Sequence, residues 1–254
     1  MSEHVRVERD GAVLAITLAR PERRNAITVA MYAALAEAVE RAAGDESIRV
    51  ITFQAEGQDF AAGNDLADFL QAAPREGEIP VWRFLRALAE CETPIVAAVH
   101  GNCVGIGTTM LLHCDLVIAE EGTRFSLPFV DLGLVPEAAS SLLLPRLAGR
   151  RRAARYLLLS ESFGVDEAMH IGLVSHQAEP GELSLKLADV VGRVLAKPAG
   201  ALRQTQRLLR HGARDEILER MRLESEVFAE RLASDEAKAA IGAFFERKKP
   251  KPVD

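Results

Sequence analysis

The sequence predicts an α/β fold: a sheet whose strands are separated by helices, followed by a long all-helical end. Three observations carry this. Short apolar runs bounded by turn residues (VITFQAE, PIVAAVHG, DLVIAEE) alternate with helical patterns over the first half. Helices between strands favour a parallel sheet or a spiral of ββα units over a sandwich. From about residue 137 onward the apolar positions repeat almost wholly at helical spacing.

In chain order, VRVERDGAVLAITLA reads as two strands around the turn Arg9-Asp10-Gly11. TVAMYAALAEAVERAAGD is an amphipathic helix with Thr28 as its expected N-cap. RVITFQAEG is a buried strand, and the loop QDFAAGND leads to the short helix LADFLQA, which Asp65 would cap. IPVWRFLRALAECE is a helix before the strand PIVAAVHG; a glycine turn and a further helix then lead to the strand DLVIAEE. Seven helices follow: ASSLLLPRLAG, RRAARYLLL, VDEAMHIG, ELSLKLADVVGRVLAK, ALRQTQRLLRHG, RDEILERMRLESEVFAERLAS and DEAKAAIGAFFERK. Lys197-Pro198-Ala199-Gly200 breaks the series. It divides a body, residues 1–197, from a helical region, 198–254, whose apolar stripes would pack on the body or on a second subunit.

At 254 residues the chain can bury a large core, and its net charge of −6 argues against non-specific nucleic-acid binding. The three cysteines, Cys91, Cys103 and Cys114, lack metal-ligand spacing and lie in or beside apolar stretches. Buried free thiols in a reducing, cytoplasmic setting are the expectation. The N-terminus shows no basic-then-apolar leader. The apolar stretch of residues 94–119 is long enough for a membrane span, but His100, Asn102, His113, Asp115 and its glycines interrupt it. No membrane span is expected.

Two glycine turns stand out as chemistry. Gly101-Asn102-Cys103-Val104-Gly105-Ile106-Gly107 fits neither GxGxxG nor a P-loop. Backbone N–H groups at a helix start can instead stabilise a small oxyanion, and two donors are usually needed. Phe60-Ala61-Ala62-Gly63-Asn64-Asp65, also following a strand, supplies a second. Tight packing explains either turn alone; two such turns after two strands of one sheet point to a site. Glu137, after Pro136 and before AASSLLLP, reads from the bare sequence as a first-turn glutamate complementing the helix dipole. Asp131 reads as a turn residue, and no Gly-x-Ser-x-Gly elbow supports a serine nucleophile.

"RPERRNAITVAMYAAL", "QDFAAGNDLADF", "HGNCVGIGTTMLLHCDLVIAEEGTRFSLPFVDLGLVPEAASSLLLPRLAG" and "EAMHIGLVSH" together resemble, in order and spacing, the crotonase or enoyl-CoA hydratase/isomerase superfamily over nearly the whole chain. The Gly-Asn-Asp-Leu, Gly-Ile-Gly and Pro-Glu-x-x-Ser-Ser boxes look most like its Δ3,Δ2-enoyl-CoA isomerase branch. The resemblance implies a spiral of ββα units, a helical C-terminal trimerisation region, and homotrimers or homohexamers. It implies an acyl-CoA thioester substrate, with coenzyme A part of that substrate and no metal or redox cofactor.

The resemblance also implies roles. The thioester oxygen would sit between the backbone N–H groups of Asn64 and Ile106, with Ala62, Gly63, Asp65, Leu66, Gly105 and Gly107 shaping the site. Hydratases of the family carry two glutamates. This chain has Thr109 at the first of those positions and Phe129, after Leu127-Pro128, at the second; both would face substrate, and neither can act as a base. Isomerases of the Asn-Asp-Leu type carry their catalytic glutamate at the Pro-Glu position, here Glu137. Arg23 and Arg24 match a basic run near the coenzyme A phosphates, and Lys248 with Lys249 a C-terminal basic segment that reaches it. Isomerisation is the leading expectation. Hydration or another crotonase reaction, and a catalytically silent acyl-CoA- or protein-binding scaffold, are the alternatives.

Overall fold

The structure, a computed structural model, describes residues 2–71 and 79–248. The first half contains β1 (Val5–Asp10), β2 (Val13–Leu18), α1 (Val29–Gly44), β3 (Val50–Ala55), α2 (Leu66–Gln71), α3 (Pro80–Glu90), β4 (Ile95–Val99), β5 (Asn102–Val104), α4 (Ile106–Thr109) and β6 (Leu116–Glu120). Then come β7 (Arg124–Ser126), α5 (Ser140–Ala148), α6 (Arg150–Leu158), β8 (Phe163–Gly164), α7 (Val165–His170), β9 (His176–Ala178) and α8 (Leu183–Leu195). α9 (Ala199–Arg210), α10 (Arg214–Ala233) and α11 (Asp235–Lys248) complete the described chain.

Six strands form one sheet in the order β1-β2-β3-β4-β6-β9. The β1–β2 hairpin is antiparallel and every other pair in it is parallel. Alternate residues of the same strands enter different cores. Ile51, Ile95, Ala97 and Val117 face the main core with α1 and α3, whereas Val50, Val96, Ala98 and Ile118 pack with Leu187 and Val190 of α8. Burial on both faces is why these strands read as unbroken apolar runs. α1 buries Met31, Tyr32, Leu35, Ala36, Val39 and Ala42, a helical stripe, and Thr28 Oγ1 accepts the Met31 N–H at 3.2 Å.

A second sheet, β5-β7-β8, runs alongside, and Ala61 bridges to Cys103 of β5. The chain therefore leaves β3, β4 and β6 in turn, makes a short strand-like pairing at Ala61, β5 and β7, and returns through helices. That is the ββα spiral. It corrects the glycine-turn reading of residues 101–107, which hold strand β5 between Gly101 and Gly105. The helix expected after that turn is only Ile106–Thr109, continued by a tighter 3-10 turn over Met110–His113. The long apolar stretch is thus divided among β4, β5, α4 and β6, and no described helix is long and apolar enough to cross a membrane. The three cysteines are free.

The last helices turn back onto the body of their own chain. Arg210 Nη2 donates to His113 O (2.9 Å) and pairs with Asp115 (3.2 Å), and the Trp82 and Phe228 rings meet edge to face. Gly133 lies so close to α11 that a Cβ there would sit 2.8 Å from the Ala237 Cα.

Candidate active site

The two glycine turns meet. Gly107 packs against Ala61: an added Cβ would lie 2.9 Å from the Ala61 Cβ and 3.0 Å from its carbonyl oxygen. Gly63, at φ +90, passes with similar tightness over the Val104 carbonyl. This contact holds the Asn64 and Ile106 peptides near one another. Gly63 O accepts the Ile27 N–H and Ile27 O accepts the Asp65 N–H, which fixes the peptide between them. Gly105, at φ +54, starts α4, whose first N–H groups have no preceding turn to donate into. Neither the Asn64 nor the Ile106 N–H has an acceptor among the described residues. Two aimed and free donors are what an oxyanion hole requires.

Both peptides open on a cavity of about 1070 Å³. Of the sequence-predicted residues, Arg23, Arg24, Ala62, Gly63, Asn64, Asp65, Leu66, Gly105, Ile106 and Phe129 line it. Phe228 of α10 and Phe244 and Phe245 of α11 add an aromatic wall, with Leu132 and Leu134 beside Phe129. Arg23 and Arg24 line the cavity together with the carboxylates Glu22, Asp65 and Asp131, and the rest of its lining is largely apolar, which suits a ligand with a charged head and an acyl tail. Asp65 lines it but is committed: its carboxylate accepts from Arg20 Nη1 at 2.8 Å and caps α2 through the Asp68 N–H at 3.2 Å. Arg20 holds it below the usual carboxylate range against the opposing effect of burial, which is the larger single influence.

Three residues, Gly107, Thr109 and Glu137, are placed otherwise than predicted, since none of them lines the cavity. Gly107 does not line the cavity, because it is the packing contact between the turns. Thr109 does not line it either: it is fully buried and donates its hydroxyl to Glu137 Oε1. The Lys248 side chain and Lys249 lie outside the described residues.

Glu137 is tied to the Thr109 hydroxyl, and its setting corrects the first-turn reading. α5 begins three residues later, at Ser140, so Glu137 stands in the turn ahead of it. The turn is strained: Ala138 (φ 60) and Ala139 (φ 55) are both left-handed, which costs non-glycine residues about 1–3 kcal/mol each. Its polar groups are held on every side. His113 Nε2 donates to Ala138 O (2.7 Å), and Ser140 Oγ donates to Glu137 O (2.6 Å). Glu224 Oε2 and Oε1 accept the N–H groups of Ala139 (2.7 Å) and Ser141 (2.9 Å). The Glu137 side chain is only 3% exposed, is not among the residues that line the cavity, and leaves Oε2 without a partner among the described residues. Burial drives its pKa up to about 8; the Thr109 hydrogen bond opposes this and the Glu224 charge adds to it.

The chain matches the enoyl-CoA hydratase/isomerase family model over residues 8–252. The chain belongs to the enoyl-CoA hydratase/isomerase family. Among curated proteins it is 32% identical to a 2,3-dehydroadipyl-CoA hydratase of Escherichia coli (strain K12), over 98% of each chain. It is 30% identical to enoyl-CoA delta isomerase 2 of Rattus norvegicus, over 97% of this chain and 64% of that one. A crystal structure of an enoyl-CoA hydratase/isomerase from Pseudoalteromonas atlantica T6c superposes with a TM-score of 0.93 at 41% identity, covering 99% of this chain and 100% of that one. As an enoyl-CoA hydratase/isomerase family member, the chain is an acyl-CoA-processing enzyme with the crotonase fold.

Within this family site, sequence reasoning passed over two residues. Tyr32 is fully buried, its hydroxyl donates to Asn64 Oδ1 at 2.5 Å, and burial together with the Glu137 charge pushes its pKa well up. The other is Glu224, 6% exposed on the buried face of α10 with Met221 and Phe228.

Proposed function

We propose that this enzyme is a Δ3,Δ2-enoyl-CoA isomerase with Glu137 as its one proton carrier. The observation that carries this is the pairing of Thr109 with Glu137. The side chain at the first hydratase glutamate position is a hydroxyl that serves the downstream carboxylate, and the second position is the apolar Phe129. Adding water needs one group to activate the water and another to deliver a proton. Moving a double bond needs one group that takes a proton and gives it back.

In this reading the coenzyme A head lies toward Arg23 and Arg24, and the thioester oxygen accepts from the Asn64 and Ile106 N–H groups. The acyl chain passes these donors to reach Glu137, and the side chains around the carboxylate yield as it does. Ionised Glu137 removes a proton from C2 of the 3-enoyl thioester. The electrons of that C–H bond form the C1–C2 double bond of a dienolate whose oxygen carries the charge. Protonated Glu137 then delivers the same proton to C4, the 3,4 double bond moves to 2,3, and the oxygen charge is released. No atom is gained or lost. Each oxyanion donor contributes about 2.7–4 kcal/mol to the dienolate-like transition state. A carboxyl raised toward 8 is a stronger base than an exposed one, which narrows the gap to the acidified C–H.

Similarity to the Escherichia coli hydratase favours hydration as the second reading. We further propose that the enzyme works as a homotrimer or homohexamer. The deciding experiment is a panel of 3-enoyl- and 2-enoyl-CoAs on wild type and Glu137→Gln. Wild type should isomerise the 3-enoyl esters, and Glu137→Gln should lose about 10²–10⁴-fold in kcat while still binding CoA esters. Efficient hydration of 2-enoyl-CoA without isomerisation, or wild-type turnover by Glu137→Gln, would sink the proposal.

A further inference from the structure

We propose that Glu224 of α10 is a positioning residue for the reaction: by accepting the Ala139 and Ser141 N–H groups it holds the left-handed turn that presents Glu137. The inference rests on the assignment of Glu137 as the base.

The start of α5 lacks what a helix start ordinarily has. Its N-cap residue, Ala139, is left-handed and has no side-chain oxygen to offer the first N–H groups. The acceptor comes instead from a residue 85 positions later in sequence, across the packing of α10 on α5. Both Glu224 oxygens are used, at 2.7 and 2.9 Å, so the carboxylate fixes two successive points of the turn. Arg220, one helical turn earlier on α10, donates to Ser141 Oγ at 3.2 Å; burial raises the Glu224 pKa, and the bonds from Ser141 and Ala139 and the Arg220 charge oppose that rise. The remaining bonds of the turn all engage its carbonyl oxygens: His113 at Ala138 O, Ser140 at Glu137 O, and the Leu142 and Leu143 N–H groups at Ala139 O.

A cap chosen for stability alone would not place a second buried carboxylate beside Glu137. Buried glutamates are rare unless their charge is met, and two in one dry region raise each other's cost. The groups that face Glu137 from its surroundings are Tyr32 on α1, Thr109 on α4 and Glu224 on α10; His113 touches the turn at Ala138, and Arg220 touches Ser141. Of these, Glu224 is the one whose charge raises the Glu137 pKa and whose oxygens hold the backbone just after it, at Ala139 and Ser141. The same residue thus holds the turn and adds to the rise in the Glu137 pKa, of which burial is the largest cause.

Two variants test this, checked first for cooperative thermal unfolding. Glu224→Met keeps the length and removes both acceptors. It should lose roughly a hundredfold in kcat with KM close to wild type, since a small misplacement of a catalytic group has that effect and the cavity lining is untouched. Glu224→Gln keeps one acceptor and removes the charge. It should retain more of kcat and shift the acid limb of the kcat/KM profile to lower pH. Infrared difference spectra of the carboxyl band, with Glu137→Gln as the blank, read the Glu137 titration without turnover. That titration should also move to lower pH in Glu224→Gln. A folded Glu224→Gln whose Glu137 titrates as in wild type overturns the proposal, as does a folded Glu224→Met with wild-type kcat. Should Glu224→Met fail to fold, the titration in Glu224→Gln decides alone. If the wild type isomerises nothing, the functional reading falls, and the infrared titration still decides the role of Glu224.

Discussion

At the scale of the residue, the Glu137 carboxyl links chemistry to stability. The native state raises its pKa to about 8, whereas the unfolded chain returns it to the ordinary value near 4.5. Between those values the native state holds a proton that the unfolded state has released. The native contribution of this group is therefore greatest below about pH 4.5 and is lost as pH rises toward 8. Activity runs the other way, because only the ionised form removes the C2 proton. Glu137→Gln should accordingly unfold at a temperature that falls less between pH 5 and 8 than that of wild type, measured by calorimetry across that range. An equal fall in both proteins would show that Glu137 titrates normally. The sequence showed this carboxylate but not its surroundings. Tyr32 falls at helical spacing beside Met31 and Leu35 and reads as core. Glu224 shares the inward face of α10 with Met221 and Phe228 at helical spacing, but a glutamate there reads from the sequence as a charge at the edge of the stripe. Both are identified only by contacts across the fold, Tyr32 to Asn64 and Glu224 to Ala139.

At the scale of the element, the two oxyanion peptides come from separate turns of the spiral and are kept in register by a glycine. Gly107→Ala places a methyl group 2.9 Å from the Ala61 Cβ and 3.0 Å from a backbone oxygen that has little room to move. The turns must separate, which displaces the Ile106 N–H relative to the Asn64 N–H. The expected result is a loss in kcat that approaches removal of one donor, about 10²–10³-fold, with KM less affected. Steady-state kinetics on a 3-enoyl-CoA measure it, and an unchanged kcat would mean that the turns tolerate separation. The long elements here were legible in sequence because burial imposes a period on them: the α1 stripe and the doubly buried β3, β4 and β6 declare themselves. β5, β7, β8 and β9 did not, because two or three residues contain too few alternations to form a pattern. Their pairing is set by the neighbouring strand, as in the bridge between Ala61 and Cys103.

At the scale of the whole molecule, the chain covers its own cavity but leaves other apolar faces bare. α10 and α11 bring Phe228, Phe244 and Phe245 to the cavity wall, so that site is built within one chain. Leu158 and Leu159 at the end of α6, Leu185 on α8, and Leu208 and Leu209 on α9 remain 65–74% exposed. A folded chain with a net charge of only −6 gains by removing several leucines from water, at about 1.5–3 kcal/mol for each one fully buried. A closed ring of identical chains does this without leaving an unpaired face. For the homotrimer or homohexamer proposed above, sedimentation velocity at micromolar concentration should give three or six chains per particle. The double substitution Leu208→Asp with Leu209→Asp places two charges on one of the exposed faces. If that face is the contact between subunits, the variant sediments as a smaller particle, yet its circular dichroism stays that of the wild type because neither side chain enters the core. A wild-type particle of one chain would refute the assembly. A variant that keeps the wild-type size would move the contact to the faces carrying Leu158, Leu159 and Leu185, which the corresponding aspartate substitutions then probe in the same way.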